Sequence, residues 1–222
     1  MARPKEFDQE KALRKAMRVF CRQSFAATST EELMRVMDVG RQSMYDTFGD
    51  KRALFLKALE TYVRESVHAI NAELERSGSA LSAVRAALTT FAERGDLSSA
   101  EGCMGLNAIS EFGRRDADVT RIVRNAARIQ RQTLMRVLAR AKEQGELSVR
   151  ADLDSMADFF ESMLAGIRMA AKAGKSRQAL RRIAAFAGKA YMSHGSHDRA
   201  EVLRGPGRRT VRSHQKRRPG QA

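Results

Sequence analysis

Residues 29–55 read STEELMRVMDVGRQSMYDTFGDKRALF, and their punctuation spells two short helices and the start of a longer one. Ser29 and Glu32 have the spacing of a capping box, and Leu33, Val36 and Met37 follow on one helical face. A second short helix, Arg41 to Thr47, lies between Gly40 and Gly49. A third starts near Lys51 and reaches Glu75, with Phe55, Leu59, Tyr62 and Val63 at helical spacing. Two short helices joined by a tight connection make a helix-turn-helix. Its second helix turns Val39, Met44 and Phe48 inward and leaves Arg41, Gln42, Ser43 and Thr47 outward. Arginine pairs bidentately with guanine and glutamine with adenine in the major groove, while Tyr45 and Lys51 suit phosphates. Spacing alone describes a short solvated surface helix equally well.

Working outward, the chain reads as all-α. It has 222 residues, 43% of them apolar, with 3 Pro and no Trp, and almost no alternating β-branched run. Asp8 caps a first helix carrying Leu13, Ala16, Met17 and Phe20 and ending near Phe25. After Gly78 come helices at about Leu81–Glu93, Cys103–Phe112, Ala117–Gln144, Leu153–Lys172 and Arg177–Met192, around a small polar loop at Arg94–Glu101. Asp116, Asp152 and Ser176 suit N-caps, and Gly145 and Gly174 suit helix stops. Apolar periodicity ends at His194, which predicts a disordered Arg/Gly/Pro-rich tail.

The net charge of +15 suggests a polyanion, yet residues 1–51 carry only +2 of it and residues 197–222 carry +6. Arg204–Arg209 in the tail suits nonspecific phosphate affinity, and Ala2-Arg3-Pro4-Lys5 is either a minor-groove arm or a free terminus. There is no secretory signal and no apolar run near the ~20 residues that span a bilayer. Cys21 and Cys103 make no disulfide framework, so a reduced cytoplasmic protein is expected. The four histidines are scattered, and metal, phosphate-loop and nucleophile–base motifs are lacking, so neither enzyme nor cofactor nor metal site is expected. A nonspecific, charge-driven DNA binder is the main rival to a sequence-specific one.

The stretch FDQEKALRKAMRVFCRQSFAATSTEELMRVMDVGRQSMYDTFGDKRALFLKALETY, residues 7–62, resembles the TetR/AcrR family of bacterial regulators. The resemblance implies a DNA-binding domain over 1–50, a helical ligand-binding and dimerisation domain over 51–195, and the basic tail at 196–222. It implies base contacts from Arg41, Gln42, Ser43 and Thr47, and phosphate contacts from Thr28, Tyr45 and Lys51, with Thr28 and Ser29 opening the second helix. Asp38 stands where the family usually has glycine, and Gly40 where it usually has a small capping residue.

The same resemblance implies a homodimer on double-stranded operator DNA, acting as a repressor or, on the same fold, an activator. The last two long helices would pair between subunits through residues among Phe159, Phe160, Met163, Leu164, Ile167, Leu180, Ile183, Ala184, Ala187 and Tyr191, with Ala165, Gly166, Ala184 and Gly188 permitting close approach; some of these are instead core of their own chain, and sequence does not divide the two sets. A small-molecule effector would sit among Phe91, Met104, Leu106, Asn107, Phe112, Met135 and Phe159, residues that ordinary core packing explains as well. Cys103, at a helix start beside Glu101, resembles the cysteine of family members that sense electrophiles or oxidants. An inert buried thiol is its plainer reading, and packing is that of Cys21. Arg121, Arg124, Arg128 and Arg131 form a basic stripe opposite Ile122, Ala126, Ile129 and Val137, either a solvated face or an anion-binding surface.

Overall fold

Short-range capping chemistry lays out the chain. A computed structural model describes residues 8–93 and 103–202, with side chains through 192. The calls on Ala2–Lys5, the Arg94–Glu101 loop and Arg204–Arg209 lie outside the described residues. Asp8 accepts from Lys11 N and opens α1, Gln9–Arg22, which stops three residues before the expected Phe25. Ser29 caps α2, Thr30–Met37, by accepting from Glu32 N. The box is only half made, because the Glu32 carboxylate accepts from Gln23 Nε2 instead of returning to Ser29. Gly40 opens α3, Arg41–Phe48, with no side-chain cap. Asp50 accepts from Ala53 N and opens α4, Lys51–Leu74, whose 24 residues run about 36 Å.

The rest is helical too: α5 is Ala80–Glu93, α6 Met104–Phe112, α7 Ala117–Glu143, α8 Leu153–Lys172 and α9 Arg177–Val202. Asp116 and Asp152 cap α7 and α8 as read from sequence. α9 outruns its predicted end by ten residues, so the expected tail is helical through Val202. All described regular structure is helix, and no described helix is long and apolar enough to cross a membrane.

Two apolar interiors form, and they divide within α4, beyond the 50/51 boundary read from sequence. The first joins α1, α2 and α3 to Leu54, Phe55, Ala58 and Leu59, and draws in Met104 and Ala108 of α6 and Val119 and Ile122 of α7. The second begins at Ile70 and runs through α5, α7, α8 and α9. Several residues assigned to the dimer face belong to this interior: Phe160, Leu164, Ile167, Leu180, Ala184, Ala187 and Tyr191 are all buried. Gly188 likewise serves its own chain, since a Cβ there would lie 2.7 Å from Arg85 Cγ on α5. Ile129 is exposed, against its assignment to the inner side of α7. Arg131 leaves the basic stripe to hold Asp154, Asp158 and Glu161 of α8.

Asp38 closes α2 in the left-handed region, at φ 61°, while the Val39 amide donates to Met34 O. An L side chain there costs roughly 1–2 kcal/mol, somewhat less for Asp. Asp38→Gly is therefore expected to raise folding stability by about 0.5–1 kcal/mol and Asp38→Val to lower it. Chemical-denaturation midpoints of the three proteins check this, and an unchanged glycine variant would refute it.

Candidate nucleic-acid interface

Burial on one side of α3 decides what its other side offers. Met44 and Phe48 are buried against α4, and Val39 before them is half-buried. Arg41, Gln42 and Ser43 are exposed, Tyr45 is 42% exposed, and Thr47 is half-buried. Two of these exposed side chains have an acid for a partner. Gln42 Nε2 donates to Asp46 Oδ1 at 2.8 Å, and Arg41 Nη2 lies 3.4 Å from Glu31 Oε1 on α2. Ser29 is exposed at the α2 start; its Oγ accepts from Glu32 N and keeps a hydroxyl proton to donate.

Two of the residues expected at phosphates have inward partners in this structure. Thr28 is 1% exposed and its hydroxyl donates to Ser24 O, so its side chain braces the α1–α2 corner. Lys51 turns its ammonium into the same corner, donating to Phe25 O at 3.0 Å and Thr28 O at 2.8 Å, 4.2 Å above the Phe25 ring. Both residues shape the interface from behind it.

The corner is also gripped from the other half. Glu111 on α6 accepts from the amides of Phe25 and Ala26 at 2.8 and 2.7 Å. Asn107 donates to Cys21 O at 2.8 Å and accepts from Lys172 Nζ of α8 at 2.6 Å. Arg52, at the start of α4, forks onto Asp116 and reaches Asp118 on α7. The Asp116 carboxyl is held down to about 2 by the hydrogen bonds from Arg52, with the Val119 amide helping. Cys103 is 2% exposed, and its Sγ accepts from Leu106 N as the cap of α6. Burial, before the nearby thiol, pushes the Tyr62 phenol up.

Comparison with known proteins fits this geometry. Residues 12–58 match the model of bacterial regulatory proteins, tetR family, and residues 78–187 match that of the tetracyclin repressor-like C-terminal domain. The HTH-type transcriptional regulator YezE of Bacillus subtilis is 30% identical over 178 residues, 78% of this chain and 90% of its own. The chain is a TetR-family transcriptional regulator. The HTH-type transcriptional repressor ComR of Escherichia coli is 28% identical over 186 residues, covering 82% of this chain and 88% of its own. Among solved structures, a cysteine mutant of the TetR-family regulator CifR, complexed with 26-bp double-strand operator DNA, aligns at a TM-score of 0.68. It is 26% identical and covers 85% of this chain and 99% of its own.

In this TetR-family chain the expected effector residues do not share one chamber. Phe112 packs with Phe25 and Phe55 under the DNA-binding half, and Asn107 ties α1 to α8. Phe159 is 37% exposed and packs on Tyr191 at the outer face of α8 and α9. Met104 is buried in the first interior and Phe91 in the second, while Leu106 and Met135 are half-buried. Cys103 is buried with them, and Cys21 is core, as read.

Sequence reading missed Asp46, Glu31, Glu111 and the Arg52–Asp116 fork. Only Asp46 carried a local signal, its i+4 spacing from Gln42. The fork also makes a pH prediction. A carboxyl depressed in the folded state contributes stability that is full above about pH 4 and is lost as pH falls toward about 2. Arg52→Gln should therefore melt below the parent protein at neutral pH, with the gap closing at about pH 2 as Asp116 is protonated. Thermal melts followed by circular dichroism measure it, and a pH-independent gap counts against the assignment.

Proposed function

We propose that the chain is a repressor that binds a palindromic DNA operator as a homodimer and is released by a small molecule. One observation carries the reading: the exposed row Arg41, Gln42, Ser43 and Tyr45 stands on a helix whose opposite side is anchored by Met44 and Phe48. A row so anchored enters the major groove as a unit, with arginine and glutamine as its base-reading groups. Ser29 and Tyr45 are the phosphate contacts from the surface, and the backbone amides at the α2 and α4 starts add others. ComR is named a repressor, and the CifR structure holds operator DNA, which favours repression and a duplex partner here. The cytoplasm, where such DNA lies, is the place of action.

A dimer suits the two grooves of a palindrome, spaced roughly 34–36 Å apart. Its face is the apolar row left outside on α8 and α9: Phe159, Met169, Ile183 and Phe186, the last 77% exposed. A surface groove of about 620 Å³ runs between Phe159, Met163, Ile183 and Phe186, suited to a partner's side chains. Release follows if ligand favours a dimer in which the α6 and α7 grips on the DNA-binding half are re-set. Cys103 enters as the α6 cap, so the reading commits to a noncovalent ligand over thiol modification.

Selection from random duplexes is expected to enrich a palindrome; no enriched sequence would favour the nonspecific binder. On the enriched site, Arg41→Ala and Gln42→Ala should each weaken binding about ten- to a hundredfold with unchanged melting midpoints. Phe186→Glu should shift the protein from dimer to monomer in sedimentation velocity and weaken operator binding in parallel. A dimer that survives this change refutes the face.

A further inference from the structure

The C-terminal half holds a half-buried cation with no acid paired to it among the described residues. Arg168 of α8 directs its guanidinium between α4 and α5, where Nη2 donates to Ser66 Oγ and Cζ lies 4.8 Å above the Phe91 ring centroid. Its Nε is buried without a hydrogen-bond partner. Among the described residues no carboxylate forms an ion pair with it, whereas Arg52 and Arg131 on the surface hold two and three. Its hydrogen-bond partner, the Ser66 hydroxyl, is neutral and keeps a proton to donate. Arginine does not shed its proton, and the buried Nε–H of this half-buried side chain is left without an acceptor, so it calls for a negatively charged acceptor from elsewhere.

We propose that Arg168 anchors an organic monocarboxylate. The carboxylate takes the Nε–Nη edge in two parallel hydrogen bonds, and the apolar body lies along Phe91. The Ser66 hydroxyl donates to a remaining lone pair. A phosphate ester fits less well, because its second charge finds no second cation: Lys172, one turn further along α8, is engaged with Asn107. Part of Arg168 stays accessible, which gives the ligand a way to the charge. Identification of this ligand with the inducer rests on the functional reading above; its binding does not.

The test uses the full chain without DNA and hexanoate, octanoate and benzoate as probes, with hexanamide, octanamide and benzamide as neutral matches. Titration calorimetry and thermal melts should show binding by at least one acid and by none of the amides. Arg168→Met should weaken that binding by about tenfold or more, Arg168→Lys should weaken it less, and Lys172→Met should leave it unchanged. Without ligand, Arg168→Met should melt at or above the parent, since it removes a half-buried charge that no acid compensates; a purely structural tie to Ser66 would make it melt lower. Failure of all three acids to bind, equal binding by an amide, retention of binding in Arg168→Met or a lowered ligand-free melt overturns the proposal. If the acid binds but leaves the operator complex intact in a gel-shift assay, the carboxylate site stands and the inducer reading falls.

Discussion

The corner between α1 and α2 has backbone groups that no helix satisfies, and two charged side chains from distant segments satisfy them. The Lys51 ammonium takes the carbonyls of Phe25 and Thr28, while the Glu111 carboxylate takes the amides of Phe25 and Ala26. Everything that points α3 outward is built on that corner. It sets where α2 starts, and α2 carries Glu31, which steadies Arg41. It also stacks Phe25 on Phe55 and Phe112, so that α6 lies against the DNA-binding half. A side chain that satisfies backbone is harder to replace than a surface ion pair, because its loss strands buried donors or acceptors.

Coupling between the halves is thus a matter of polar contacts laid over a shared apolar seam. α4 belongs to both interiors, with Leu59 in the first and Ile70 in the second, and Tyr62 and Ser66 fall between them. At that seam α8 reaches α4 through Arg168 and Ser66, and reaches α6 through Lys172 and Asn107. A ligand that reorients the middle of α8 therefore acts on two ties at once, one to the long helix and one to the helix gripping the corner.

Helix bounds were readable from sequence because caps are local. Asp8, Asp116 and Asp152 each accept from an amide within three residues, and the outward face of α3 follows from the period of Val39, Met44 and Phe48. The backbone partners of Thr28 and Lys51 were not legible because hydroxyl and ammonium groups suit a carbonyl as well as a phosphate. Glu111 and Arg168 could not be found by pattern, and Asn107 was singled out without its partners Cys21 and Lys172. Their partners lie 65 to 102 residues away, and a charged residue on an amphipathic helix looks like solvated surface until the fold closes over it. The extension of α9 past His194 had no apolar signal to announce it.

Glu31 lies 3.4 Å from Arg41 and Asp46 accepts from Gln42, so the outward cation and amide of α3 each already have an acid for a partner. Exposed pairs of this kind contribute little to stability, so either side chain can exchange its acid for another partner at small cost. Any new partner must therefore offer a better geometry than the acid it displaces, and charge alone gains it little.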